Sequence, residues 1–403
     1  MTDYVITAGR STSYPLRHYG AHFTGSRATF CLDADFAALD ANVLAIPNLP
    51  ISVLSALPVS VDAKFFGTHI NRRVNDGATE ITYGTVRSHD MEGVKGTWFK
   101  IQTTSSADTT TWNWRDLDSW VTTHYAAGRD LIFILFGTPA FFSARPTEEG
   151  VYGLGALGAQ AEPSDMTKWS AFCTAVATRY LGKIKYYEVW NEPNYHNNGT
   201  TTTGPNFFFS GTFGKLSEMV RRANQAIKAV DPTAKIICPA VQGWQTTFGD
   251  SDTYFIGMMA ASDGAGGIMR NWVDIIGVHL YSGIQSLAGI IDRINADKAT
   301  AGVSAMETWD TESGPTGPFV NGLSDERAQV IIARSMITIA AKGVKRTMLY
   351  MYDSSTMGIV NRPAVIAYRE AIRTLLMGGT ILAASKFGDG RVAYYTSAGL
   401  TII

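Results

Sequence analysis

The feature that most limits how this chain can fold is a series of short apolar runs separated by helical patterns. From about residue 64 the runs read "KFFGTHIN" (64–71), "GTVRSH" (84–89), "DLIFILFGTPAFFS" (130–143), "IKYYEVWNEPN" (184–194), "AKIICPAV" (234–241), "VDIIGVHLYS" (273–282), "SAMETWDTES" (304–313) and "KRTMLYMYDS" (345–354). Near-continuous apolar runs suit parallel strands that are covered on both faces. Helical patterns lie between them. Trp169, Phe172, Cys173, Val176, Ala177 and Tyr180 fall on one apolar stripe. The stretch 214–232 ends in Asp-Pro, a helix stop. The stretch 324–343 opens with Ser324 as a cap and two acids, and closes with Lys342 and Gly343. Eight strand candidates with helices between most of them predict an α/β fold, a (β/α)8 barrel of the TIM type. A doubly wound open sheet competes, but no Gly-rich phosphate loop follows the early strands. "RRVNDGATEITY", between the first two strands, is too short and polar for a full helix, so the first crossover is expected to be degenerate.

The ends of the chain break the alternation. Residues 1–60 hold strand-like pieces and a Leu/Ala/Pro-rich stretch, and 376–403 read as a hairpin-like pair turning near Asp389-Gly390. The expected organisation is an N-terminal β-rich segment (1–60), a catalytic barrel (61–375) and a C-terminal hairpin-like segment (376–403), with the ends pairing into a small appendage. With 403 residues, 45% of them apolar, the chain can bury a large core. Net charge is −1 with basic residues scattered, so neither nucleic acid nor a membrane surface is an expected partner. No apolar run is long enough to predict membrane insertion, and the N-terminal stretch does not read as a secretory signal. The three cysteines, Cys31, Cys173 and Cys238, lack metal-site or disulfide spacing and read as buried thiols. Asn198-Gly199-Thr200 matches a glycosylation acceptor and is read as chance.

Two carboxylates end apolar runs in rigid polar settings. Glu192 lies in "YEVWNEPN" at the end of the fourth strand candidate, and Glu312 lies in "WDTESGP" at the end of the seventh. In a (β/α)8 barrel the C-terminal strand ends converge on one mouth, and three strand steps set these two residues facing each other. A facing carboxylate pair is what glycoside hydrolysis requires, one group to protonate the leaving oxygen and one to attack or to activate water.

"EVWNEPN", "GVHLY" and "WDTESG", in this order over roughly residues 64–375, resemble the strand-end motifs of clan A glycoside hydrolases. The likeness is strongest to family 39 and related exopolysaccharide hydrolases. That resemblance implies a retaining (β/α)8 enzyme without a cofactor. It implies that Glu192 is the acid/base, Glu312 the nucleophile, and Asn191 the residue that bonds the 2-hydroxyl of the sugar at the cleavage point. It implies that Tyr281 bonds the nucleophile and that Arg87 keeps it ionised. Members of the clan often end the eighth strand with a tryptophan under the sugar; here "MLYMYDS" offers Tyr350 or Tyr352, and Tyr352 is the candidate taken. The accessory β-sandwich common in family 39 is at best reduced.

Other residues are weighed against these. Glu188 shares the strand face of Glu192 and is expected inside the barrel, bound to polar groups. Glu312 is preferred as nucleophile over Glu307, which lies five residues earlier, and over Asp310, which has the parity of Glu312 but lies deeper. His279 reads as a hydrogen-bonding wall of the site, and His69 and Asn71 as substrate contacts. His69, His89 and His279 lack the spacing of a metal motif, so no metal is expected. Trp190 and Trp309 beside the glutamates, and Trp112, Trp114 and Trp244 in or near loops, are candidate stacking faces for sugar rings. Trp120 and Trp169 read as core. Loops 141–164, 195–213 and 242–252 are long enough to shape a groove. The function expected is cleavage of β-linked bonds in an oligo- or polysaccharide, such as an exopolysaccharide or cell-surface glycan, in an endo mode. The alternative is a carbohydrate-binding adhesin or virion protein on the same scaffold.

Overall fold

A computed structural model of the chain describes residues 59–71, 80–89, 91, 95–149, 156–194, 208–244, 251–281, 287–314, 324–353, 358–377 and 379–386, with the backbone of short strands at 4–5, 22–24, 27–29, 392–396 and 400–402. The apolar runs form a closed barrel: β1 (Phe66–His69), β2 (Thr85–Arg87), β3 (Asp130–Leu135), β4 (Tyr186–Val189), β5 (Lys235–Ile237), β6 (Ile275–His279), β7 (Glu307–Ser313) and β8 (Thr347–Leu349). Each strand pairs in parallel with the next, and β8 closes onto β1 with Thr347 opposite Phe66. A closed sheet leaves no unpaired edge, so its backbone groups are satisfied along the whole ring.

Helices cover the outside: α1 (Arg115–Ala126), α2 (Met166–Arg179), α3 (Phe213–Val230), α4 (Ser251–Met259), α5 (Leu287–Thr300), α6 (Asp325–Ala341) and α7 (Pro363–Leu376). Their starts follow capping chemistry. Asp165 accepts the Thr167 amide ahead of α2, Thr212 accepts that of Lys215 ahead of α3, and α7 begins on a proline. Gly343, at φ 78°, turns the chain out of α6 in a left-handed conformation that glycine adopts freely. Among the described residues no helix lies between β1 and β2; residues 72–79 of that crossover are outside them.

The two chain ends pair, as expected. Five short strands form one sheet in the order Tyr4–Val5, Leu400–Ile402, Val392–Thr396, Thr380–Lys386 and Val59–Ser60. The turn near Asp389-Gly390, the sequon at Asn198 and Cys31 lie outside the described residues. Cys173 and Cys238 are buried free thiols.

The barrel interior is built in two chemical layers. Near the N-terminal strand ends, Ile132, Ile237, Ile275, Trp309 and Met348 pack together with Tyr186. Gly67 leaves the space that Met348 fills, since a Cβ there would fall 1.9 Å from the Met348 sulfur. Two residues further along, strand alternation returns the chain to the same inward face. There it places His69, Arg87, Glu188 and Thr311, all fully buried and joined by hydrogen bonds. The interior therefore changes from apolar to polar as it approaches the C-terminal strand ends.

This layering corrects the expectation for Trp309. Its ring lies in the lower apolar layer, its Nε1 donates to Glu307 Oε2 at 3.0 Å, and the Arg346 guanidinium sits 5.1 Å from the ring centre. It supports the barrel from below. Trp309→Ala should cost about 3–5 kcal/mol through the cavity it leaves, read as a lower midpoint in urea unfolding.

Candidate active site

The site is assembled around one guanidinium. Arg87, from the end of β2, is fully buried. Its Nε and Nη2 donate to the two oxygens of Glu188 at 2.8 and 2.9 Å, its Nη1 donates to Glu312 Oε2 at 2.9 Å, and Nη2 also donates to Asn191 Oδ1 at 2.8 Å. The fork geometry of arginine makes this possible: one planar group addresses β4 and β7 together. Burial alone would push the proton off. Glu188 first, then Glu312 and Glu192, more than offset it and hold the Arg87 pKa above the ordinary arginine range. Glu188 is thus inside the barrel and polar-bonded, as its strand parity predicts.

Glu312 is held from two sides. Arg87 grips Oε2, and the Tyr281 hydroxyl donates to Oε1 at 2.8 Å. Burial pushes its carboxyl above the ordinary glutamate range; His279 and Arg87 pull it down, and the charge of Glu192 adds to the rise. Arg87 therefore counters the shift in the direction expected of it, without overcoming burial. Tyr281 is itself raised well above the usual tyrosine value by burial and by Glu312, so it stays a neutral donor.

Glu192 faces them from the end of β4. His279 Nδ1 lies 2.6 Å from Glu192 Oε1 and 3.9 Å from Glu312 Oε2. Burial lowers the His279 pKa to about 4 even though Glu312 raises it, so the ring is neutral at ordinary pH and acts through hydrogen bonds. One oxygen of each glutamate and one nitrogen of His279 all lie within 4.8 Å of one another. This trio is the one group among the described residues whose donors are gathered closely enough to hold a metal ion. His69 and His89 are not part of this group, and His69 Nε2 lies 3.0 Å from the Thr311 carbonyl.

The turn that carries Glu192 is strained. Trp190 and Glu192 both have positive φ, 67° and 40°, and Glu192 precedes a proline, which restricts it further. Surrounding contacts hold the turn. The Trp190 indole donates to the Phe208 carbonyl at 2.6 Å and packs edge-on against Phe136 and Phe209. Beyond it, Asn194 and Gln242 exchange bonds between the ends of β4 and β5. Arg145 in the loop after β3 binds Glu148, Glu162 and Ser210, which fastens that loop to the segment before α3. Parts of the three expected groove loops, at 150–155, 195–207 and 245–250, lie outside the described residues.

The structure gathers Arg87, Asn191, Glu192, His279, Tyr281 and Glu312 in one place and separates the rest. Trp190 is fully buried as an anchor of the turn. Trp244 is buried against Phe255, and Trp112 and Trp114 stack on each other beside Phe172 and Tyr180. None of these presents a face to the mouth, because the apolar interior between barrel and helices takes them first. His69 is buried under the site, its ring 4.9 Å from that of Tyr350. Tyr352, the candidate taken, is fully buried and bonds Glu80, whereas the partly buried Tyr350 lies with its ring 6.4 Å from that of Tyr281. Asp310 also departs from its expected parity. Val278 pairs with Asp310 but His279 pairs with Glu312, so Thr311 is an extra residue in β7. The bulge turns Glu312 inward to Arg87 while Asp310 bonds Thr347 on β8. A one-residue bulge leaves no mark in residue type, so only pairing reveals it.

No protein-family model and no curated protein sequence matches this chain. Solved structures do. A glucosidase from Croceicoccus marinus superposes with a TM-score of 0.61 at 15% identity, covering 86% of this chain and 75% of that one. The GH39 enzyme from Xanthomonas axonopodis pv. citri gives 0.59 at 16%, covering 84% and 72%. A GH39 β-xylosidase from Caulobacter crescentus gives 0.58 at 17%, covering 85% and 79%. The chain shares the fold of these enzymes, the last two of which are GH39 glycoside hydrolases. No helix among the described residues is long and apolar enough to cross a membrane.

Arg87→Met should remove about 3–5 kcal/mol of stability, because Glu188 and Glu312 are left buried without their cation. The loss should shrink toward acid pH, where Glu312, its pKa raised further, takes up a proton and no longer needs the cation. Urea unfolding of both proteins across a pH series reads this.

Proposed function

We propose that this protein is a retaining glycoside hydrolase acting on β-linked bonds of an oligo- or polysaccharide. The observation that carries the reading is the closeness of two opposed carboxyl groups, Glu192 and Glu312, with oxygens within 4.8 Å. Retaining enzymes hold such groups about 5–5.5 Å apart and inverting enzymes about 6.5–9.5 Å apart. Glu312, gripped by Arg87 and Tyr281, attacks the anomeric carbon. The bond to the leaving oxygen breaks, and Glu192 gives that oxygen its proton. Glu192 then takes a proton from the water that cleaves the glycosyl ester and frees Glu312. The Asn191 amide, its oxygen tied to Arg87, turns its NH2 end to the sugar 2-hydroxyl. His279 keeps Glu192 in line through the Nδ1 contact, and Tyr350 borders the innermost sugar. No step requires a cofactor.

The fold shared with a β-xylosidase supports β-linked sugars as the substrate class. Long segments after β3, β4 and β5 support a groove open to an internal bond of a chain, hence endo action. Glu312→Gln should lower turnover by about 10⁴-fold or more while polysaccharide binding survives. Normal cleavage by that variant rejects Glu312 as the nucleophile, and binding without any turnover in the unaltered protein leaves the adhesin reading. The first product seen by proton NMR should keep the β configuration. Because Glu312 must be ionised to attack and burial holds its pKa above the ordinary glutamate range, the acid limb of kcat/KM should lie at higher pH than an exposed glutamate would set.

A further inference from the structure

Asp310 is fully buried, yet it touches neither Glu192 nor the mouth. Its Oδ1 accepts the Leu280 amide at 3.2 Å. Its Oδ2 accepts the hydroxyls of Ser313 at 2.5 Å and Thr347 at 2.6 Å. Each partner adjoins the site in sequence or through a bond. Leu280 lies between His279, which contacts Glu192, and Tyr281, which contacts Glu312. Ser313 follows Glu312, and its carbonyl receives the Tyr350 amide. Thr347 opens β8, the strand that leads to Tyr350. One carboxyl thus ties together the C-terminal ends of β6 and β7 and the start of β8, from the side of the sheet opposite to Glu312. The bulge at Thr311 is what places it there.

We propose that Asp310 is a positioning residue that sets the Tyr281–Glu312 hydrogen bond and the direction of attack by Glu312, an inference that rests on the glycosidase reading. A hydrogen-bonded hub of this kind acts through geometry, and a shift of about 1 Å at an attacking group costs about 10²-fold in rate. Burial pushes the Asp310 carboxyl up to about 7, against the bonds from Ser313, Thr347 and Leu280. A neutral carboxamide of the same shape is therefore a close substitute: its oxygen can accept from Leu280, and its NH2 can donate to hydroxyls that rotate to accept.

The test compares Asp310→Ala with Asp310→Asn. The alanine variant should lose about 10²-fold in kcat per folded molecule on an aryl β-glycoside, with KM nearly unchanged. The asparagine variant should recover to within a few-fold of the unaltered protein. A residue that only stabilises the fold would lower the unfolding midpoint and leave kcat per folded molecule intact, which overturns the proposal. An asparagine variant as impaired as the alanine one, though folded, overturns it as well. Crystal structures of both variants read geometry independently of turnover. The Tyr281 hydroxyl should move beyond hydrogen-bond range of Glu312 in Asp310→Ala and return in Asp310→Asn; an unmoved hydroxyl rejects the assignment. If the unaltered protein cleaves no glycoside, the glycosidase reading falls while these structures still decide the role of Asp310.

Discussion

The buried ion pair between Arg87 and Glu188 is the interaction on which the site depends. A lone guanidinium inside a barrel is costly to desolvate, and so is a lone carboxylate. Paired in a two-bond fork they neutralise each other and still leave donors on the arginine, which go to Glu312 and Asn191. The pair is therefore a platform as well as a compensation. It stands on the apolar layer of Ile132, Ile237, Ile275, Trp309 and Met348, which excludes water from beneath it. Without that dry support, water would screen the bonds that orient Glu312.

Two local departures from regular structure complete the geometry. The bulge in β7 lets Thr311 and Glu312 both serve the interior, Thr311 toward Glu188 and Glu312 toward Arg87, while Asp310 is left to bind Thr347 and Ser313. The positive φ angles at Trp190 and Glu192 bend the end of β4 so that Glu192 meets His279. Strain of this kind persists only where neighbouring contacts over-determine it. Here the bond from Trp190 to Phe208 and its packing on Phe136 and Phe209 do so.

Much of this was legible in the residues. The apolar runs foretold eight parallel strands, and Glu192 and Glu312 end the runs three strand steps apart. The even spacing of Glu188 and Glu192 placed Glu188 inside. The aromatic residues were less legible. Trp190, Trp244, Trp112 and Trp114 sit near strand ends or loops in sequence, where sugar-stacking faces belong, yet each is buried. An indole carries the same apolar area whether it covers a sugar or a core, and composition does not say which partner reaches it first. The same ambiguity hid which of Tyr350 and Tyr352 faces the mouth. They share a parity, and the turn that separates their directions has no signature in residue type.

The sequence by itself determined the barrel and the strand ends that bear the two glutamates. These follow from hydrophobic periodicity, which is written residue by residue. Tertiary structure decided which carboxyl on β7 faces Arg87, which tyrosine borders the site, and that one arginine would bind Glu188, Glu312 and Asn191 together. Those outcomes depend on strand register and on distances between residues a hundred or more positions apart. Such distances are fixed only when the ring of strands closes.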